Sequence, residues 1–408
     1  MNATARIAVL KFGGTSLASP ERRAVAYERI VGARTDGFAT VAVVSAIGRP
    51  PDPYATDTLL SLIGGRASSR NADVLLSSGE LIAAAVFADE LSSLHAVPAV
   101  ALSGAQAGIV TDSRHGDAKV LRVDPKPILS LLERSVIPVV AGFQGCDERG
   151  ELTTLGRGGT DLSAIAIGHA LHAERVDIYT DVSGAMTADP ARVGEARTIP
   201  RASLEEMSEL AEQGAKVMHH KAADYAHRTG LPYAIKGLQS DVGTIVDDTV
   251  DHHRAVTGVT ASGRLTWVRI IRGDIESPSR RMQTELEMFA RLAAAAISID
   301  QVTINQAGVA FVVQGDRAND VRQLLGDLNL AVRVREGCAK LSVVGSGMRG
   351  TPGVVREVVE ALSRENIEII HCTDSNVTIS LLVPADDAGR AERAVHAQFH
   401  LDAGDPHA

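Results

Sequence analysis

Cysteine is scarce in this chain. Its 408 residues hold three, Cys146, Cys338 and Cys372, far apart and without a CxxC pair. This excludes a disulfide framework and a cysteine-built zinc site, and fits buried or idle thiols in a reducing compartment. A basic block is also missing. The 41 Lys and Arg against 50 Asp and Glu give a formal net charge of −9, so no nucleic-acid partner is expected. Long apolar runs are absent too. Ile7 to Leu10 is far too short for a signal peptide, and Leu292 to Ile299 ends after about two helical turns. No membrane association and a cytoplasmic location are expected. What is present is a 45% hydrophobic content over a long chain. That is enough for a large core and for two or three domains.

The first half alternates short apolar runs with helical patterns. Ile7-Ala8-Val9-Leu10-Lys11-Phe12 reads as a strand buried on both faces. It breaks at Gly13-Gly14-Thr15-Ser16, and Ser19-Pro20-Glu21 then starts a helix. Gly13 and Gly14 either let the backbone approach a phosphate beside Lys11 or form a plain tight turn. Further strands follow at Thr40 to Val44, Pro98 to Leu102 and Val136 to Ala141. Ala72 to Leu94 reads as a helix pair interrupted near Ser77-Ser78-Gly79-Glu80. Glu80 there is either a binder of a cation or substrate ammonium, or a capping charge. The alternation predicts an α/β fold, a mainly parallel open sheet with helices on both faces. Ligands of such sheets bind at the carboxyl ends of the strands, where the polar loops of this chain converge.

The stretch Thr153 to Pro190 concentrates this chemistry. Gly156-Arg157-Gly158-Gly159-Thr160-Asp161 opens a helix with one fixed charge. The strand Val176 to Tyr179 then ends in Thr180-Asp181 and a small-residue loop closing at Asp189-Pro190. Exposed backbone N–H groups, an arginine and carboxylates suit anions and a small charged substrate. After Pro190 the pattern is helical. A second helix is expected from Gly214, with Lys216 near its start either aimed at an anion or solvated. His219-His220 and His252-His253 are adjacent pairs that point apart on a helix, poor geometry for one metal.

Past the polar stretch Asp247 to Arg254 lies a repeated βαββα pattern. The first copy has a strand at Leu265 to Ile271 and a helix at Gln283 to Ala296. The second has a strand at Lys340 to Val344 and a helix at Val354 to Glu365. Another strand is expected at Ala331 to Val334. Two such units form small α+β modules. The turn Gly345 to Gly353 either binds an amino-acid carboxylate or is an ordinary glycine-rich turn.

These motifs resemble, in order and over nearly the whole length, the aspartate kinases of the amino-acid-kinase superfamily. The matches are KFGGTS (Lys11 to Ser16), VVSA (Val43 to Ala46), SSGE (Ser77 to Glu80) and AGFQG (Ala141 to Gly145). TTLGRGGTDLSA (Thr153 to Ala164), TDVSGAMTADP (Thr180 to Pro190), ELAEQGAKV (Glu209 to Val217) and Gly243-Thr244 complete the set. The C-terminal repeat is similar to the tandem ACT domains of this family. Arg49 to Asp57 and Met282 to Phe289 resemble its diaminopimelate-sensitive branch. The resemblance implies a kinase domain at 1–246, a linker at 247–257, and ACT-like modules at 258–336 and 337–404 that exchange strands.

The resemblance also implies roles. Lys11, Phe12, Gly13, Gly14, Ser45, Thr180, Asp181, Gly184, Asp189, Lys216 and Val217 would hold ATP. Lys11, Lys216 and Asp181 would serve catalysis. Mg2+ would be carried mainly by the ATP phosphates, with no dedicated protein metal site. Thr56, Glu80, Arg157, Gly159, Thr160 and Asp161 would hold L-aspartate, Glu80 at the ammonium and Arg157 at a carboxylate. An amino-acid effector (lysine or diaminopimelate, or threonine) would meet Gln283, Thr284, Ser346, Gly347, Met348, Thr351 and Pro352. A homodimer through the ACT modules, or a larger homo-oligomer, is expected. Three places depart from the family pattern. His219-His220-Lys221 stands for His-Pro-Arg, Lys236-Gly237-Leu238 for an Arg-Ser strand, and Glu276 to Arg281 for a Pro-Gly turn. A kinase of another amino acid and a non-catalytic amino-acid sensor are the competing expectations.

Overall fold

The computed structural model describes residues 6–65, 69–215, 217–248, 254–271, 277–326, 328 and 331–403. Its contacts divide the chain into two units. The first runs to Met186 and resumes at Thr198; the second takes Thr187–Arg197 and the C-terminal part from residue 252.

The first unit begins with β1 (Ile7–Phe12), α1 (Pro20–Thr35), β2 (Ala39–Val44), α2 (Thr56–Ser61), α3 (Arg70–His95) and β3 (Ala99–Leu102). Next come β4 (Ile109–Thr111), β5 (Val120–Val123), α4 (Lys126–Glu133), β6 (Ile137–Ala141), β7 (Gln144–Cys146) and β8 (Leu152–Thr154). It ends with α5 (Gly159–Ala170), β9 (Arg175–Thr180), β10 (Arg201–Ala202), α6 (Leu204–Glu212), α7 (His220–Thr229), β11 (Tyr233–Gly237) and β12 (Gly243–Val246).

Eight of these strands form one sheet in the order β10-β12-β11-β9-β1-β2-β6-β3. Every pair is parallel except β11 with β12. The strand β1 sits at the centre and is buried at all positions, as a strand covered on both faces must be. On one face, Tyr27 and Ile30 of α1 and Phe87 and Leu91 of α3 pack on Leu10, Phe12 and Val44. The period-2 alternation of β1 turns Val9 and Lys11 to the other face, where α5 crosses β1, β2 and β9. The start of α1 is as its sequence spells it: Ser19 Oγ accepts from the Arg22 N–H and Pro20 takes the first turn.

Two local expectations are corrected. The stretch around Glu80 does not interrupt a helix: α3 is continuous from Arg70 to His95. The Ser77 and Ser78 hydroxyls bond back to the Val74 and Leu75 carbonyls. Gly79 admits the chain of Tyr54, whose carbonyl oxygen would lie 2.7 Å from a Cβ there. The helix read from the apolar face of Leu204, Met207, Leu210 and Ala211 is α6, whose start Ser203 and Glu206 fix with a capping box. The next helix begins at His220 and not at Gly214. A small sheet, β5-β4-β7-β8, was not legible in advance. Its strands have three or four residues, too few to show a period.

The second unit contains β13 (Gly258–Ile271), α8 (Pro278–Ala294), β14 (Asp300–Asn305), β15 (Gly308–Gln314) and α9 (Ala318–Leu325). It continues with β16 (Ala331–Val344), α10 (Val354–Arg364), β17 (His371–Asp374), β18 (Thr378–Pro384) and α11 (Ala388–Gln398). Its single sheet has the order β14-β15-β13-β16-β18-β17. The strands expected at Ala331 to Val334 and Lys340 to Val344 are one strand, β16. Both long strands serve both repeats: Leu265–Ile271 pair with β15, while Gly258–Ser262 pair with Lys340–Val344. One core gathers Met288, Leu292, Val309 and Phe311. The other gathers Leu341, Val358, Leu362, Leu381 and Val395. Among the described residues, no helix is long and apolar enough to cross a membrane.

Candidate active site

The alternation that turns Lys11 toward α5 sets the centre of the site. Its Nζ lies 2.7 Å from Asp161 Oδ1, in the first turn of α5, and both side chains are almost buried. The AGFQG motif makes room for this helix start. A Cβ on Gly142 would lie 2.5 Å from Thr160 Cγ2, so only glycine lets the end of β6 meet α5 there. The next residue, Phe143, has φ +66, a left-handed conformation rare for an aromatic residue. Its N–H donates to Ser163 Oγ, which anchors the turn on α5.

A cleft of about 390 Å3 opens beside this pair. Lys11, Ser45, Thr56, Glu80, Arg157, Gly159, Thr160 and Asp161 all line it. Glu80 is buried and accepts one bond, from the Ala46 N–H at 3.3 Å. Its second oxygen has no partner. Burial pushes its carboxyl up to about 8, against the ordinary 4.5. Arg157 is exposed at the cleft wall. So one end offers a buried carboxyl with a free oxygen, and the other a planar guanidinium. An ammonium and a carboxylate on one small molecule complement those groups.

The phosphate-side turn also has a local reason. A Cβ on Gly14 would lie 2.4 Å from the Ala46 carbonyl oxygen, so this glycine lets the loops after β1 and β2 touch. At the end of β9, Thr180 Oγ1 donates to Asp181, and Asp181 pairs with Arg49 at 2.9 Å. Phe12 is fully buried and stacks on Tyr179 with ring centroids 5.2 Å apart, a packing role. Gly184 is buried, and a Cβ there would meet Thr244 Oγ1 at 2.7 Å. It therefore shapes the loop from inside. Asp189 belongs to the second unit, where its N–H donates to Glu392. Lys216 lies outside the described residues; Val217 is half-buried in a turn. Among the described residues, no group of three or more His, Cys, Asp or Glu is placed to hold a metal ion.

The departures from the family pattern have local explanations. His219 Nδ1 accepts from the Lys221 N–H and caps α7, while His220 pairs with Glu212. His219 packs against Gly158, whose φ of +72 and missing Cβ leave it room. Burial lowers the pKa of its imidazole. Lys221 contacts Asp117 and the Leu155 carbonyl. Lys236 reaches across to Asp177 at 3.0 Å, and Arg175 meets the same buried carboxylate at 2.6 Å. In the second unit, Gly347 lies against the Arg254 backbone and Met348 is buried. Thr351 and Pro352 are exposed, as is Gln283, and the Thr284 hydroxyl donates to the Arg280 carbonyl. Glu276, the first residue of the third departure, lies outside the described residues.

Gly116, Phe143 and Thr154 line the cleft and were not singled out from the sequence. A positive φ at Phe143 leaves no mark on composition, and Gly116 sits in a loop without a motif.

A parallel sheet with this cleft at its strand ends defines a small-molecule kinase of the amino-acid type. The chain matches the amino acid kinase family over residues 6–237 and an ACT domain family over residues 341–399. It is 40% identical over 405 residues to aspartokinase 1 of Bacillus subtilis, covering 97% of this chain and 99% of that one. It is 34% identical over 409 residues to an aspartokinase of Thermus thermophilus, with 97% and 99% covered. Among solved structures, E. coli aspartokinase III in complex with aspartate and ADP (R-state) superposes with a TM-score of 0.77 at 24% identity. That match covers 97% of this chain and 100% of that one. The same enzyme with lysine and aspartate (T-state) gives 0.70 at 25%, covering 96% and 99%. The chain belongs to the aspartokinase family.

Proposed function

We propose that the chain transfers the γ-phosphoryl group of ATP to the side-chain carboxylate of L-aspartate, giving 4-phospho-L-aspartate and ADP. The carrying observation is that Lys11 on β1, Glu80 on α3, Arg157 in the turn before α5 and Asp161 on α5 line one cleft. The aspartate carboxylate is already ionised near neutral pH, so its oxygen attacks phosphorus without a general base. The bond from phosphorus to the β,γ-bridging oxygen breaks, and ADP leaves with that electron pair. What the protein must do is hold two anions together and offset charge on the moving group.

Glu80 receives the substrate ammonium and Arg157 a carboxylate, helped by Thr56, Gly159 and Thr160. Lys11, held by Asp161, faces the phosphates across the Gly13-Gly14 turn. Ser45, Thr180 and Asp181 flank the nucleotide. Mg2+ would be carried by the ATP phosphates, where it would supply charge neutralisation.

The ACT modules confer feedback control by an amino acid. The relative crystallised with lysine supports lysine as the first candidate, ahead of diaminopimelate and threonine. Met282 and Leu286 on α8, and Val355 and Val359 on α10, expose apolar side chains. Such faces support assembly with a second copy. The test is ADP release over a panel of L-aspartate, L-glutamate and N-acetylglutamate. Turnover confined to L-aspartate is expected; turnover confined to another acid overturns the assignment.

A further inference from the structure

Asp73 precedes Glu80 by seven residues in α3, two turns away on the same helix face. It is fully buried and does not line the cleft. Its partners nonetheless belong to the cleft wall. The Gly116 N–H donates to it at 3.0 and 3.2 Å, the Thr154 hydroxyl at 2.5 Å and His115 Nδ1 at 2.7 Å. Gly116 and Thr154 both line the cleft. A carboxylate can only accept, so His115 carries its proton on Nδ1 here.

The wall is held at further points. Asp112 accepts from the Arg114 and Lys119 N–H groups, and the Ala118 N–H donates to the Thr154 carbonyl. Lys221 grips Asp117 from the outer side. This loop presses on Gly156, where a Cβ would lie 2.6 Å from Asp117 Oδ1 and 3.2 Å from the Gly116 carbonyl oxygen. Gly156 is the residue before Arg157. The contacts therefore run from Asp73 through Gly116 to Gly156 and Arg157, while α3 itself carries Glu80.

We propose that Asp73 is a positioning residue for the acid substrate. It ties the 112–119 loop to the helix that bears Glu80, and so fixes the span between Glu80 and Arg157 that selects the acid. A buried carboxylate is costly, and an apolar residue would pack α3 at less cost. Two of its three donors, Gly116 and Thr154, line the cleft, and the third, His115, is the neighbour of Gly116 in the chain. The inference rests on the cleft holding an amino-acid substrate.

Asp73→Asn keeps the volume but turns an NH2 group toward these donors. The KM for L-aspartate should rise about tenfold or more while kcat and the KM for ATP move less than about threefold. Preference for L-aspartate over L-glutamate should fall. An equally folded variant with unchanged KM overturns the proposal. If Asp73→Asn does not fold, Thr154→Val removes one donor at constant size. The same KM-selective loss supports the tether, and an unchanged KM refutes it. Amide exchange of the 112–119 segment reads the tether without any substrate. Faster exchange at Gly116 in Asp73→Asn, with the Glu80 segment unchanged, supports it; no acceleration overturns it. A wild-type chain inactive on L-aspartate would remove the proposed reaction, and exchange would still decide the tether.

Discussion

Glu80 makes the sharpest quantitative prediction. Burial holds its carboxyl at about 8 against the ordinary 4.5. At 1.36 kcal/mol per tenfold, the charged form carries a penalty of roughly 5 kcal/mol in the empty cleft. A substrate ammonium placed at its unpaired oxygen reverses the preference. Binding must then expel the proton, which is present on about 90% of molecules at pH 7. If only the ionised form binds, L-aspartate affinity should tighten roughly 25-fold from pH 6.5 to 8.5. Calorimetry in buffers of different ionisation enthalpy would read both quantities, with close to one proton released per aspartate at pH 7. Glu80→Gln should abolish the proton release and the pH dependence together. It should also weaken binding at pH 8.5 by about 10- to 150-fold, the value of one charge-assisted bond. The same shift affects stability. The folded chain keeps a proton that the unfolded chain loses, so stability falls as pH rises from about 4.5 to about 8. Glu80→Gln should therefore be the more stable protein at pH 8.5. Wild-type binding that is flat with pH and releases no proton would refute the reasoning.

Other consequences are direct. Arg157→Ala should collapse aspartate turnover while ATP still binds in calorimetry; near-normal turnover would remove the clamp. Gly14→Ala places a Cβ 2.4 Å from the Ala46 carbonyl oxygen. It should destabilise the unit by about 1–3 kcal/mol in urea titrations and weaken ATP binding; an unchanged midpoint would mean that the loops are free to separate. Lysine, diaminopimelate and threonine, titrated separately, should include at least one inhibitor. No response to any of them would remove the feedback assignment.

The sheet was legible because its strands are short, mostly apolar and end in small-residue or polar loops. Ile7 to Phe12 shows the logic, since a run without polar alternation fits only a strand covered on both faces. Reading failed where glycine was taken as punctuation. Gly79 looked like a helix break, but it is a point of close approach inside a continuous α3. The strands expected to begin at Leu265 and Lys340 are longer: β13 runs through Gly263 and β16 through Gly337. There the ladder absorbs the irregularity as register shifts, and each repeat borrows half of the other's long strand. Many residues that line the cleft stand in motifs visible in the sequence, because its loops carry them densely. Its supporting wall was not legible. Asp73, Gly116 and Thr154 act through hydrogen bonds between segments about 40 and 80 residues apart, and no local pattern records such a contact.

The central claim is the identity of the acid that is phosphorylated. An acyl phosphate reacts with hydroxylamine to give a hydroxamate, which can be trapped and weighed by mass spectrometry. With ATP, Mg2+ and hydroxylamine present, the chain should form aspartyl 4-hydroxamate from L-aspartate in step with ADP. ADP release from L-aspartate without the hydroxamate, or the hydroxamate of another acid in its place, would contradict the account.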